Sequence, residues 1–200
     1  MKVLFLGYTD CPLIDFLRQQ GEEVVLWKDR ISPTIIQEQQ IEFIVSYGYR
    51  YIIKKDVLEC LPNRVINLHI SYLPWNKGAD PNFWSFVDDT PKGVSVHRID
   101  PGLDTGALLV QEKVDLSLES SFRETYGLLQ NRIQQLFMDH WSGLKSGGIP
   151  PKEQMGVGSY HRSKDKLVLL EAIQDHWLDL PIPAVLDHIA AIRAAELNAP

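Results

Sequence analysis

Cysteine is scarce. Cys11 and Cys60 stand alone and far apart, without metal-ligand spacing, so no disulfide framework or zinc motif is written here and both thiols are expected to be free. Cations are outnumbered, 20 Lys and Arg against 26 Asp and Glu, for a formal net charge of -6. That balance argues against nucleic acid as a partner, which needs clustered Lys and Arg, and leaves room for a small basic site on a phosphorylated substrate. Long hydrophobic runs are missing. Val3 to Leu6 is too short for a signal core or a membrane span, so a cytoplasmic protein without a membrane partner is expected. Glycine-rich phosphate loops are missing too: Gly7 stands alone after that first apolar run, and no dinucleotide cofactor or ATP is supported. No internal repeat or low-complexity run occurs.

What is present is ordinary for a globular chain of 200 residues, 44% hydrophobic and 23% charged, enough for one domain with a full core. Val3-Leu4-Phe5-Leu6 reads as a buried strand. A helix follows from Pro12 to Gly21, and Glu23 to Leu26 is a second strand. Ser32-Pro33 opens another helix, Phe43-Ile44-Val45 is a third strand, and Lys54 to Cys60 is a helix before a strand ending at His69. This alternation predicts an α/β, Rossmann-like fold, a mostly parallel twisted sheet with helices on both faces. Pro81 to Asp88 reads as a helix whose Phe83 and Phe86 belong to the core. Gly93 to Ile99 and Ala107 to Leu116 form a β-hairpin, Val94, Val96 and Arg98 facing opposite to Ser95 and His97. Phe122 to Leu144 is a long helix with Phe122, Tyr126, Leu129, Ile133, Leu136 and Phe137 on one face. The stretch to Arg162 reads as irregular, and Pro183 to Leu197 as a terminal helix. The apolar positions Trp177, Leu180, Ile182, Val185, Leu186 and Ile189 need cover, from the domain or from a second copy in a homodimer. Residues 1–150 are expected to be the catalytic domain and 151–200 a C-terminal extension.

Chemistry gathers between Val65 and Trp84 and in the loop from Asp100 to Gly106. Asn67 and His69 lie two apart on a strand end, so a carboxamide and an imidazole face one space, where open α/β sheets put ligands. A carboxylate such as Asp104 beside an imidazole fixes its tautomer and favours its charged form. Imidazolium and carboxamide N–H together stabilise the oxyanion formed when a nucleophile attacks a carbonyl. The set has no nucleophile of its own, which suits acyl transfer to an amine brought by the substrate. A Ser71–His69–Asp104 hydrolase triad lacks the G-x-S-x-G elbow. A zinc site would need more ligands than His69, His97 and Asp104.

Asn67-Leu68-His69-Ile70-Ser71-Tyr72-Leu73-Pro74, then Gly78-Ala79, then Asp104-Thr105-Gly106 resemble the signature of the formyltransferases that use N10-formyltetrahydrofolate. Ile70 stands where that family often has proline. The resemblance implies a formyltransferase fold over roughly the first 150 residues, an Asn67, His69 and Asp104 catalytic trio stabilising a tetrahedral oxyanion, and a folate co-substrate without metal. It implies further that Arg50, Tyr51, Ile52 and Ile53 grip the pterin largely by backbone, with Ile99, Asp100, Pro101, Gly102 and Leu103 as the opposite wall.

The loop Leu73 to Gly78 with Asp80 to Trp84 is similar to that of sugar-nucleotide formyltransferases and of formylation domains in nonribosomal peptide synthetases. The acceptor expected from the first likeness is a nucleotide-linked 4-amino-4,6-dideoxy sugar, as in a pseudaminic-acid-type glycan pathway. Ser71, Trp75, Asn76, Lys77 and Asn82 would contact it, Lys77 pairing with a diphosphate and Trp75 offering a stacking wall. The alternatives are a peptide-synthetase module formylating a carrier-bound aminoacyl group, and a methionyl-tRNA formyltransferase-like enzyme. The latter matches less well, because that group carries a sizeable C-terminal β-rich domain and a basic surface.

Overall fold

The computed structural model describes residues 1–170, 173 and 176–197. Four parallel strands alternate with helices: β1 (Lys2–Gly7), α1 (Pro12–Gln19), β2 (Glu23–Trp27), α2 (Pro33–Glu38), β3 (Phe43–Tyr47), α3 (Lys55–Cys60) and β4 (Val65–His69). After a loop come β5 (Lys77–Gly78), α4 (Pro81–Val87), the hairpin β6 (Gly93–Arg98) and β7 (Leu108–Lys113), and the long α5 (Phe122–Ser146). The chain continues through β8 (Tyr160–His161), α6 (Ser163–Leu170), a single 3-10 turn at Trp177–Asp179 and α7 (Ile182–Leu197). The main sheet runs β2-β1-β3-β4-β6-β7, with β6 antiparallel to β4 and β7 antiparallel to β6.

The inner strands β1 and β3 are mostly apolar and buried because both faces are covered. Along β1, Val3 and Phe5 enter the core built with α1 (Leu13, Leu17) and α5 (Leu129, Ile133, Phe137). Leu4 and Leu6 enter the opposite core with Ile36 of α2 and Val57 of α3. β6 forms as expected, with Val94 and Val96 in the first core and Ser95 and His97 on polar partners; all four are buried, since β6 is an inner strand with a neighbour on each side.

α5 begins with a reciprocal cap. Ser121 Oγ accepts from the Glu124 N–H (3.2 Å), and the Glu124 carboxylate accepts from the Ser121 N–H (2.8 Å), satisfying two otherwise orphaned donors. Its core face differs from expectation at Tyr126, which is 41% exposed and turns to the site. Near its far end, buried Glu22 accepts from Lys145 Nζ (2.7 Å), the Met1 ammonium (2.9 Å) and Trp141 Nε1 (3.2 Å). Burial alone would raise the Glu22 carboxyl, but these donors outweigh it and hold it below its ordinary value.

A third core lies beyond the sheet. Ile182, Val185 and Ile189 of α7 pack on Phe83, Trp84 and Phe86 of α4 and on Phe122, so the chain itself covers that terminal apolar face. β8 and α6 are among the elements that were not expected. β8 has two residues and owes its form to its parallel partner β5; α6 leaves Leu167 and Val168 exposed and shows no clean apolar stripe. Both Cys11 and Cys60 are free thiols.

Candidate active site

The parallel strands all end at one rim, and the site is there. Tyr8 follows β1, Gly48, Tyr49 and Arg50 follow β3, and Asn67 and His69 close β4; all line one cleft of about 800 Å³. The strand order reverses between β2-β1 and β3-β4, which is where doubly wound sheets open a crevice. Opposite them stand Tyr126 and Gln130 of α5, Gly78 to Pro81, and Tyr160 to Ser163. A recess of about 90 Å³ branches between β3, β4 and β6, lined by Ser46, Tyr49, Ile53, His97, Ile99 and Leu103 among others. Asn67 and Asp104 line both cavities. They mark the junction.

Asp104 is the hub. Its backbone sits in the left-handed region (φ 53°), which Asp tolerates better than most residues. Oδ1 accepts from Asn67 Nδ2 (3.2 Å) and lies 3.4 Å from His97 Nε2. Oδ2 accepts from the Gly78 N–H (2.9 Å) and lies 3.8 Å from His69 Nδ1. Burial would raise this carboxyl, yet the His69 charge, His97 and the Gly78 N–H overcome that penalty and place it well below the usual carboxylate range. Asp104 is an anion at neutral pH.

Both imidazoles have their tautomer set by a carbonyl. His69 Nε2–H donates to Asn76 O (3.1 Å), which leaves Nδ1 facing Asp104. His97 Nδ1–H donates to Arg98 O (2.8 Å), and its Nε2 lies 3.2 Å from Asn67 Nδ2. The sequence offers His97 as a metal-ligand candidate and not as part of this cluster. Antiparallel pairing of β4 with β6 sets Asn67 opposite His97, a register that no local pattern in either strand specifies. No group of three or more His, Cys, Asp or Glu among the described residues is placed to hold a metal.

Of the expected pterin contacts, Arg50 lies on the main cleft. Tyr51, Ile52, Ile53, Ile99, Asp100, Gly102 and Leu103 line the recess. Asp100 shapes its loop by accepting from the Gly102 N–H (3.1 Å) and Thr105 Oγ1 (2.7 Å). Pro101 is the exception, facing a separate depression beside Leu58 and Leu61.

The residues expected to contact the acceptor are placed differently from the pterin set. Ser71, Trp75, Asn76, Lys77 and Asn82 are absent from the cleft wall, because their polar groups fold the loop instead. Ser71 Oγ donates to Trp75 O (2.6 Å) and Asn76 Nδ2 to Thr90 Oγ1 (2.7 Å). Lys77 Nζ donates to Val157 O (3.3 Å), and Asn82 Nδ2 to Phe122 O and Thr125 Oγ1 (3.1 Å each). The wall there is formed by Tyr160, His161 and Arg162, from a stretch whose sequence shows no regular pattern. His161 stacks flat on Trp84, 3.9 Å between centroids and 4° between planes, with Nε2 2.8 Å from Asp88 Oδ2. Across the cleft the Tyr8 and Tyr126 hydroxyls are 3.1 Å apart. Burial and that contact push the Tyr8 phenol up to about 12, so it stays protonated as a hydrogen-bonding group.

A sheet of this topology carries at its rim a carboxamide, two imidazoles and an ionised carboxylate, groups whose chemistry is suited to polarising a carbonyl. The family model for formyl transferase matches residues 28–139, and the chain belongs to that family. A solved structure of the formyltransferase PseJ from Anoxybacillus kamchatkensis, in complex with UDP-4,6-dideoxy-4-formamido-L-AltNAc and tetrahydrofolate, is 44% identical with a TM-score of 0.88, covering 94% of this chain and 100% of that one. A sugar N-formyltransferase from Shewanella sp shares the fold at 21% identity and a TM-score of 0.76, covering 94% of this chain and 87% of its own. Among curated relatives, a methionyl-tRNA formyltransferase of Solibacter usitatus is 34% identical over 146 residues, 72% of this chain and 45% of that protein. The chain thus spans less than half the length of that relative.

Proposed function

We propose that this protein transfers a formyl group from N10-formyltetrahydrofolate to the 4-amine of a nucleotide-linked 4-amino-4,6-dideoxy sugar. The observation that carries the reading is the full-length likeness to PseJ at 44% identity, joined to an Asn67–His69–Asp104 cluster at the junction of two cavities. The recess suits the flat ring of the donor and the cleft the acceptor. A formyl carbonyl passing from one to the other must cross the Asn67 amide, which borders both.

The donor supplies an activated formyl carbon; the chain supplies the rest. The acceptor nitrogen bonds to that carbon, the bond to folate N10 breaks, and the proton lost by the amine balances the one gained at N10. The Asn67 amide and the His69 imidazole line the cleft and offer N–H donors to the negative charge developing on the carbonyl oxygen. Asp104, ionised and facing His69 Nδ1, orients the imidazole and offers a proton acceptor on the amine side. Arg50 and Arg162 line the cleft, and neither forms an ion pair among the described residues. They offer counter-charges for the two anionic co-substrates, and Arg162 takes the diphosphate role expected of Lys77.

A second reading, methionyl-tRNA formylation, draws on the names of the curated relatives. The acidic balance of the chain disfavours it, since tRNA binding calls for clustered cations. The test is incubation of the purified full chain with the formyl donor and UDP- or dTDP-linked amino sugars, with formyl-accepting methionyl-tRNA alongside. A mass increase of one formyl unit on a 4-amino sugar nucleotide is the expected result. Formylation of methionyl-tRNA alone, or of no acceptor, would overturn the proposal.

A further inference from the structure

The segment after α5 never enters the cleft through Gln154 or Ser159, yet it grips both loops that carry the polar cluster. Lys152 fastens it first, pairing its backbone with Leu108 in both directions (2.7 and 2.8 Å). Gln154 Nε2 then donates to Asp104 O (2.8 Å) and Gly106 O (2.9 Å). Ser159 Oγ accepts from the Asn76 N–H (2.8 Å) and donates to Asn76 Oδ1 (3.0 Å). β8 finally pairs with β5, so that Gly78, whose N–H holds Asp104, is itself held. A side chain at Gly78 would meet His161 O at 2.4 Å, which shows how closely the two strands approach.

The two gripped residues have one property in common. Asp104 (φ 53°) and Asn76 (φ 55°) are both non-glycine residues in left-handed conformation, a state that persists where surroundings over-determine it. Asp104 carries the carboxylate; Asn76 O holds His69 Nε2. Each clamp therefore acts on one member of the cluster through the backbone that presents it. Neither clamp lies within residues 28–139, the stretch that matches the family model.

We propose that Gln154 and Ser159 are positioning residues, Gln154 setting Asp104 and Ser159 setting the tautomer and orientation of His69 through Asn76. The inference rests on the formyl-transfer reading for its kinetic readout but not for its spectroscopic one. A misplacement of the order of 1 Å can cost roughly 100-fold in rate. In the full chain, Gln154→Ala, Gln154→Glu and Ser159→Ala are expected to lower kcat roughly 10- to 100-fold with KM nearly unchanged, and Ser159→Thr, which keeps the hydroxyl, to restore most of it. In an Asp104→Asn background Gln154→Ala should cost nothing further, and in a His69→Ala background neither should Ser159→Ala, because residues acting through one another are not additive. Full additivity, or wild-type kcat in the folded single variants, would overturn the proposal.

Nitrogen-15 resonances of His69 supply the second arm. Nε2 should appear protonated in the wild type and lose that bias in Ser159→Ala, or in Ser159→Cys should the alanine variant not fold; an unchanged His69 spectrum overturns the assignment for Ser159. If the wild type formylates nothing, the functional reading fails while these spectra still decide the inference.

Discussion

Asn67 and Asp104, 37 positions apart along the chain, are joined by a hydrogen bond of 3.2 Å at the point where the cleft meets its recess. The contact connects the end of β4 to the loop beyond β6. It brings the carboxamide and the carboxylate to the junction a formyl group would have to cross.

Removing one donor aimed at a developing oxyanion costs about 10²–10³ in rate. Asn67→Ala and His69→Ala are each expected to lower kcat by that factor while the variants keep the wild-type far-ultraviolet circular dichroism. Steady-state kinetics on the amino sugar acceptor checks it. A loss confined to KM would assign both residues to binding and not to the chemical step.

Asp104 has a folded pKa below that of the unfolded chain, which for an aspartate is about 3.9. Its ionisation therefore contributes stability that is fully present above the unfolded value and lost as pH falls through the folded one. Urea unfolding of wild type and Asp104→Asn should show a difference that holds at neutral pH and declines in acid, below roughly pH 5. A difference that grows on acidification would contradict the low carboxyl pKa.

Arg162 lines the cleft, whereas Lys77 turns away to Val157 O. Hydrogen bonds to charged groups are worth about 1.5–3 kcal/mol, so Arg162→Ala should raise KM for the sugar nucleotide roughly 10-fold or more. Lys77→Ala, at a side chain that bonds to the Val157 carbonyl, should leave it within about twofold. Equal effects would return the diphosphate to the loop after β4.

Glu22 ties the chain start to α5 through three donors. Glu22→Gln removes the charge they share and is expected to cost about 2–3 kcal/mol, read as a lower urea midpoint with unchanged slope. Because the Glu22 carboxyl lies below its ordinary value, the deficit should shrink in acid. Activity per folded molecule should not change.

Much of the fold is legible in the order of residues alone. Pro12, Gly21, Ser32-Pro33 and the apolar runs mark out α1, β2, α2 and β3 because caps and periodicity are local properties. Asn67 and His69 fall on one face because strand geometry alone requires it. The side-chain directions of Ser71, Asn76, Lys77 and Asn82 were not legible, because a loop's composition does not say which way its polar groups turn. Asn76 turns to Thr90 and Ser159 and Asn82 to Phe122 and Thr125, while Ser71 and Lys77 bond to the Trp75 and Val157 carbonyls.

By itself the sequence determined the alternation of strand and helix, the coverage of both sheet faces and the residue types available for carbonyl chemistry, since each depends on neighbours a few positions away. Only the tertiary structure decided that His97 faces Asn67, that Arg162 and not Lys77 lines the cleft, and that Gln154 and Ser159 hold Asp104 and Asn76 behind the site. Those relations join positions 30 to 83 residues apart, and long-range register is settled by packing across the whole fold, not by any local preference.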